Sequence, residues 1–151
     1  MSSRVPELID ALMSRLPADP VLAGVQVVDG PEVTESTAPD WLIIGWSGDP
    51  DGDFQAAQTI GGWSGLAASG REEQLQLTAA VIVTRGDTDV RAARVRAYEI
   101  GGRLEGLLAA DPSVGLRSLE VAIEASQLVQ DQTDQGVQVR LLLTVAGRAF
   151  T

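Results

Sequence analysis

Apolar and polar residues alternate along residues 72–84, and this alternation predicts a long, half-buried strand. The opposite face of that strand begins with glutamines and a threonine and turns apolar at Ala80 and Ile82. We therefore expect water at one end of this face and a covering segment at the other. The positions that define the buried face recur at the two-residue period of a strand: Leu75, Leu77, Ala79, Val81 and Val83.

The period then lengthens, and residues 90–110 are predicted to form one long helix. Asp87 or Thr88 is expected to cap it, Asp89 lies in a first turn that favours an anion, and Pro112 marks its end. Its apolar residues recur at spacings of three and four and form a stripe that needs a packing partner. They are Val90, Ala93, Ala97, Ile100, Leu104, Leu107 and Leu108.

The other side of the same helix carries Val95, Tyr98, Gly102 and Gly106. A glycine inside a helix costs about 1 kcal/mol relative to alanine, so two of them call for an explanation. Small residues allow another backbone to approach closely, which predicts a subunit interface on this side. Neutral drift and a fraying helix end are the alternative explanations.

The remaining chain supplies elements on both sides of this strand and helix. The order of elements predicts an α+β fold, in which a mostly antiparallel sheet carries both helices on one face. These further elements are an amphipathic helix over 4–16, short strands over 24–28 and 41–46, a possible strand over 55–60, and two alternating strands over 117–129 and 137–147.

The last two strands are joined by a short polar turn and are predicted to form an antiparallel hairpin. Keeping their apolar residues together pairs Val121 with Val145 and Val129 with Val137. In this interpretation the two faces of the first strand separate as follows: Leu119, Val121, Ile123 and Ala125 on one face, and Glu120, Glu124 and Ser126 on the other.

Residues 47–70 are rich in glycine and are the least regular part of the chain. An extended loop of this length inside a compact domain is usually functional or mobile. We expect it to become ordered against a neighbouring subunit. The side chains predicted to anchor it are Phe54, Ile60, Trp63 and Leu66.

The length of 151 residues predicts a single domain over 1–151 with room for a core. No apolar run approaches 18 residues, so the sequence predicts no membrane span. The chain contains no cysteine and no histidine, which removes disulfides, thiolate chemistry and the commonest general base. Chemistry based on carboxylates alone remains open.

The net charge of −10 is the reverse of the balance found in most nucleic-acid binders. Acids crowd the segment from Asp29 to Asp53, which holds no basic residue. Arginines gather around the long helix. This division suits contacts between copies of the chain, and two solvated faces would explain it equally well. The arginines concerned are Arg85, Arg91, Arg94, Arg96 and Arg103.

Two short motifs are candidates for chemical sites. Asp49, Asp51 and Asp53 resemble the start of a calcium loop, but the glycine comes too early and Ile60 occupies the twelfth position. A turn explains this motif better. The segment 61–65 lacks the spacing of a serine nucleophile elbow. The sequence therefore predicts no catalytic residue, no metal ligand and no cofactor.

Glu120 and Glu124 lie on one face of a predicted strand and could form a carboxylate pair. A strand that faces solvent or the lumen of a ring explains them more simply. Together with Asp49, Asp51 and Asp53 they are the acids predicted to line a loop or a lumen.

Taken along its whole length, the chain resembles the tail terminator (tail-completion) proteins of long-tailed bacteriophages. Four segments support the resemblance. They are the N-terminal helix near LIDALMSRL, the strand DWLIIGW before the acidic loop, REEQLQLTAAVIVTRGD leading into the long helix, and the closing VRLLLTVAGRAF.

The resemblance implies a hexameric ring of an α+β subunit that is not an enzyme. Such a ring caps the tail tube, ends its polymerisation and joins the tail to the head-side connector or stopper protein. It implies a virion protein at the head-proximal end of the tail, assembled in the bacterial host cytoplasm. DNA would pass through the ring without specific binding.

Two alternatives remain open from the sequence. One is another virion ring or tube subunit, such as a head-completion or tail-tube protein. The other is an enzyme that uses carboxylates and a metal ion, centred on Asp49, Asp51 and Asp53.

Overall fold

The computed structural model describes residues 3–31, 38–61 and 71–150. Each predicted helix and strand is present, with ends that differ from the predicted ones by a few residues. Two 3-10 turns, Leu16–Ala18 and Pro20–Leu22, follow the first helix. In chain order the helices and strands are α1 (Val5–Arg15), β1 (Gln26–Asp29), β2 (Asp40–Ile44), β3 (Ala57–Gly61), β4 (Glu72–Arg85), α2 (Val90–Ala110), β5 (Leu119–Thr133) and β6 (Gly136–Phe150).

The six strands form one sheet in the order β1-β2-β4-β6-β5, and β3 also pairs with β4. On one side of β4, β2 and β3 lie end to end, since β2 pairs with residues 79–83 and β3 with residues 73–77. On the other side β6 follows the whole length of β4. All pairs are antiparallel except β1 with β2, so the sheet is mixed.

Both helices cover one face of the sheet, which we call the helix face. The alternating apolar residues of β4 lie in this core with the stripe of α2, where Ala97, Ile100 and Leu104 are fully buried. Gly101 brings the α2 backbone close to the sheet, because a Cβ there would lie 2.9 Å from Cδ2 of Leu141. The predicted core stripe of α2 is therefore confirmed.

The opposite face, which we call the open face, is covered at one end only. Ala80 is fully buried there, and a Cβ on Gly48 would lie 2.8 Å from Cδ1 of Ile82, so the segment after β2 crosses this end. At the other end Gln74 and Gln76 are exposed. The predicted division of this face into a solvent-exposed end and a covered end is confirmed.

The predicted register of the β5–β6 hairpin is wrong. Val121 lies opposite Gly147, and Val129 lies opposite Arg140. Glycine at 147 permits a close approach of the two strands, because a Cβ there would lie 2.0 Å from the carbonyl oxygen of Glu120.

A β-bulge between Ile123 and Ala125 also changes the faces of β5. The extra residue reverses the alternation beyond it. Ser126 pairs with Leu143 and so takes the helix face, while Ala125 pairs with Thr144 on the open face. The predicted faces of Ala125 and Ser126 are therefore wrong, whereas Leu119, Val121 and Ile123 do share the helix face.

The cap of α2 also differs from the prediction. Asp89 is the N-cap, and its side chain accepts a hydrogen bond of 3.0 Å from the amide of Ala92. Asp87 instead accepts from the amide of Asp89 and builds the preceding turn. Asp87 accepts a hydrogen bond within the turn, and Asp89 accepts the one from the first turn of the helix.

Candidate assembly surfaces

The outward side of α2 is exposed along its length. Val95 is 50% exposed and Tyr98 is 47% exposed. Gly102 and Gly106 are exposed as well, and a Cβ at either position would meet no atom within 4 Å. Nothing in the described part of the chain therefore requires glycine at these two positions, in contrast to the neighbouring Gly101.

Four of the arginines around this helix, Arg85, Arg94, Arg96 and Arg103, have partners within the chain. Arg94 donates to the side-chain oxygen of Gln130 on β5 at 2.9 Å, and Arg103 donates to Asp19 at 2.7 Å. The hydrogen bonds from Arg103 hold the pKa of Asp19 below its usual range. These bonds fasten α2 to the elements beside it, a role that neither sequence interpretation of the arginines included.

Asp40 forms the most buried ion-pair cluster of the described residues. It is 7% exposed, and it accepts hydrogen bonds from Arg85 at 2.6 Å and from Arg96 at 3.1 Å. Burial opposes ionisation of Asp40, but the two arginines outweigh it and hold the pKa of this carboxyl below its usual range. Arg96 also pairs with Glu99 one helical turn away. Asp40 thus joins β2, β4 and α2, whereas the sequence showed it only as one of the acids between Asp29 and Asp53.

The acidic loop is built from turns. Asp49 accepts a hydrogen bond from the amide of Asp51 at 2.9 Å, and Asp53 accepts from the amide of Gln55 at 2.8 Å. Asp49 also lies 3.8 Å from a guanidinium nitrogen of Arg140 on the open face. Within residues 3–31, 38–61 and 71–150, no group of three acids is placed to hold a metal ion.

Two apolar side chains near this loop are exposed. Phe54 is 56% exposed and stacks on Trp46 with ring centroids 5.5 Å apart. Ile60 on β3 is 59% exposed and lies opposite Gln74, on the open face. The other two predicted anchors, Trp63 and Leu66, lie outside the described residues.

The remaining two predicted acids, Glu120 and Glu124, lie at the solvent-exposed end of the open face. Glu120 accepts from Arg148 at 3.2 Å, and Glu124 accepts from Gln76 at 3.4 Å, so the two carboxylates have separate partners. A concavity of about 570 Å³ opens beside Glu124, and both polar and apolar side chains line it. It is lined by Gln58, Ile60, Gln74, Gln76, Ala122 and Glu124, among others.

Asp49, Glu120 and Glu124 therefore lie on the open side of the sheet, away from the helices. Asp51 and Asp53 belong to the same loop as Asp49. No helix among the described residues is long and apolar enough to cross a membrane.

Comparison with known proteins gives a likeness of fold. No protein-family model and no curated protein matches the chain. Among solved structures, a chain from the virion of a native gene transfer agent (GTA) particle has a similar fold, with a TM-score of 0.63. The alignment covers 95% of this chain and 95% of that chain, at 15% sequence identity. The two chains therefore share a fold over nearly their full lengths.

Proposed function

We propose that the chain is a structural protein of a virion, and that copies of it close into a six-membered ring. In this proposal the ring caps the tail tube, ends its polymerisation and joins the tail to the head-side connector or stopper protein. The chain is not an enzyme and needs no cofactor. It acts at the head-proximal end of the tail after assembly in the bacterial host cytoplasm.

The full-length fold likeness to a chain of a gene transfer agent virion carries this proposal. A gene transfer agent particle is phage-like, and the alignment leaves only a few residues of either chain unmatched. The whole-chain resemblance to tail terminators points to the particular position within such a particle.

The subunit contacts are assigned to two surfaces. The first is the outward side of α2 with Val95, Tyr98, Gly102 and Gly106, where open space around the glycines would let a neighbouring backbone approach. The second is the exposed ring of Phe54, to which the sequence adds Trp63 and Leu66 beyond the described residues. Exposed aromatic and apolar side chains are common anchors of protein interfaces.

The open face is assigned to the lumen through which DNA passes. It carries Asp49, Asp51, Asp53, Glu120 and Glu124, and the chain has a net charge of −10. Acids repel the phosphate backbone, so DNA would move through such a ring without being gripped. The helices would then lie outside the lumen.

The first experiment measures the mass of the purified protein in solution and images any assembly. A closed ring of six copies that binds the end of isolated tail tubes is the expected result. Open tubes of the protein alone would replace the proposal with a tail-tube subunit. A protein that neither forms rings nor binds tail tubes would refute it.

A metal-dependent hydrolytic activity would contradict the structural role in a different way. It would have to be lost when Asp49, Asp51 and Asp53 are all changed to asparagine. Activity that survives this triple change would come from a contaminant or another site.

A further inference from the structure

β5 is the outermost strand of the sheet, and half of its outer edge has no partner in the described chain. Its pairing with β6 extends over residues 119–133. On the outer side, the amide of Val121 donates to the carbonyl of Pro112, so the segment before β5 covers the first half. No backbone partner of this kind is seen for residues 125–133 within the described ranges.

The hydrogen-bonding direction of each residue in this half follows from the ladder. The amide of Phe150 donates to Ser118, so even-numbered residues of β6 direct their backbone groups towards β5. Thr144 is one of them, and its partner Ala125 therefore faces β6. Beyond the bulge, alternate residues direct their amides and carbonyls outward. They are Ser126, Leu128, Gln130 and Gln132.

The edge also lacks most of the features that protect exposed strands. Natural edges are usually guarded by lysine, proline, bulges or a covering segment. Residues 119–133 contain no lysine, arginine or proline. The bulge near Glu124 lies before the unpaired half rather than within it. Leu128 is only partly buried against the core, so an added strand would complete its burial.

The direction of the strands identifies a suitable partner. β5 runs parallel to β4, because each is antiparallel to β6. The opposite edge of the sheet is built by β1 and β3, and both run antiparallel to β4. A second copy set beside the first in the same orientation would therefore present an antiparallel strand to β5, with its helix face continuing the first one.

We propose that the outer edge of residues 126–132 pairs with the β1–β3 edge of a second copy of this chain, so that the sheet continues from subunit to subunit. The inference rests on the proposed ring and names a contact that closes it. Because each copy offers one edge and accepts the other, the contact is head-to-tail and can close into a ring.

Hydrogen exchange of individual amides tests this pairing in the unaltered protein. In the dissociated chain, amides that face β6, such as those of Gln127 and Val129, are expected to exchange slowly. The amides of Ser126, Leu128, Gln130 and Gln132 are expected to exchange fast. On assembly the second group is expected to slow by about tenfold or more, the factor that corresponds to about 1.4 kcal/mol of protection.

The variant Ser126→Pro removes one outward amide and leaves the pairing with β6 intact. It is expected to raise the dissociation constant of the assembly by about tenfold more than Ser126→Ala, which changes the same side chain but keeps the amide. Equal effects of the two variants would count against a backbone contact. If Ser126→Pro does not fold, the exchange measurement on the unaltered chain still tests whether the outer edge of β5 pairs with a second copy.

The outcomes separate this inference from the proposed function. A ring in which the outward amides of β5 stay fast overturns the pairing and leaves the ring standing. Open tubes in which those amides become slow support the pairing and overturn the terminator. Closed dimers in which they become slow indicate that β5 pairs with β5 of the second copy, and they overturn the proposed pairing. Fast exchange at every concentration, with or without tail tubes, overturns the pairing.

Discussion

Gly147 and Gly102 differ in what a methyl group would meet. At Gly147 a Cβ would lie 2.0 Å from the carbonyl oxygen of Glu120 and 2.8 Å from Cα of Val121. Both are backbone atoms, so they could move away only if the β5 strand itself shifted. At Gly102 a Cβ would meet nothing within 4 Å. The first glycine is therefore required by the fold, and the second is not.

Alanine at these two positions is expected to change stability in opposite directions. Gly147→Ala should lower the free energy of unfolding by about 1–3 kcal/mol through overpacking of the β5–β6 pair. Gly102→Ala should raise it by about 0.5–1 kcal/mol, because alanine is the better helix former and the space is open. Urea unfolding of the dissociated chain measures both. A stabilised Gly147→Ala variant would show that the strands do not approach this closely.

Asp40 gives the stability of the protein a dependence on pH. Its carboxyl has an ordinary pKa of 3.8, which burial opposes and the two arginines lower on folding. A group with a depressed folded pKa contributes stability above its unfolded pKa and loses that contribution as the pH falls through its folded pKa. The contribution of Asp40 should therefore be complete above about pH 5 and should decline below pH 3.8.

Asp40→Asn is expected to cost about 2 kcal/mol at pH 7, because Arg85 and Arg96 lose the charge they share. The cost should begin to shrink as the pH falls below 3.8, because the unfolded chain then binds a proton at Asp40 before the folded chain does. Urea unfolding at pH 7, 5 and 3 measures this convergence. Asp51→Asn is the control, since the Asp51 side chain is exposed. A cost that stays constant with pH would mean that the charge of Asp40 is not what matters.

At the scale of elements, α2 has one side fixed by the core and one side left open. Its inward residues are buried against β4 and β6, and its outward side carries two glycines that its own chain does not need. Helix propensity alone would favour larger residues there. A role in assembly predicts that larger residues stabilise the free chain and weaken the ring.

Gly102→Gln is expected to raise the unfolding free energy of the dissociated chain slightly and to weaken assembly by at least about tenfold. Ala92→Gln is the matched control, because Ala92 is exposed on the same helix but lies beside the outward stripe. Mass measurement over a concentration series compares the two. Assembly that is equally strong in both variants would remove the outward side of α2 from the interface.

Features of the helices and strands that depend on neighbouring residues could be predicted from the sequence. Features that depend on contacts between distant residues could not. The alternation of Leu75, Leu77 and Val81 and the stripe of α2 specify the type of element locally, and both were predicted correctly. The bulge near Glu124 depends on how β5 meets β6, including the missing side chain at Gly147. Neither strand reveals that fit alone, so the hairpin register was predicted wrongly.

At the scale of the whole molecule, the two faces of the sheet carry different features. The helices occupy one face, and Asp49, Glu120 and Glu124 lie on the other. Replacing acids by lysines on the open side should therefore raise the affinity of an assembled ring for DNA. The same replacement on the helix side should not.

Asp51→Lys combined with Glu124→Lys is expected to make the assembled protein retain linear duplex DNA, with an affinity that falls steeply as salt is raised. Both residues are exposed, and neither side chain belongs to the Asp40 cluster. Asp10→Lys combined with Glu105→Lys makes the same change of net charge on α1 and α2, which cover the other face. A gel-shift titration in about 0.1 M salt compares them. Equal retention by both pairs would remove the open face from the DNA path.

The sequence by itself determined the α+β class, the element order, the core stripe of α2 and the covered end of the open face. These follow from the spacing of apolar residues, which acts within one strand or one helix. Only the tertiary structure decided that Asp40 is buried and accepts hydrogen bonds from both Arg85 and Arg96. It also decided that Gly101 packs against the sheet while Gly102 faces open space. Both depend on atoms that are distant in the chain and meet only when the sheet and helices pack.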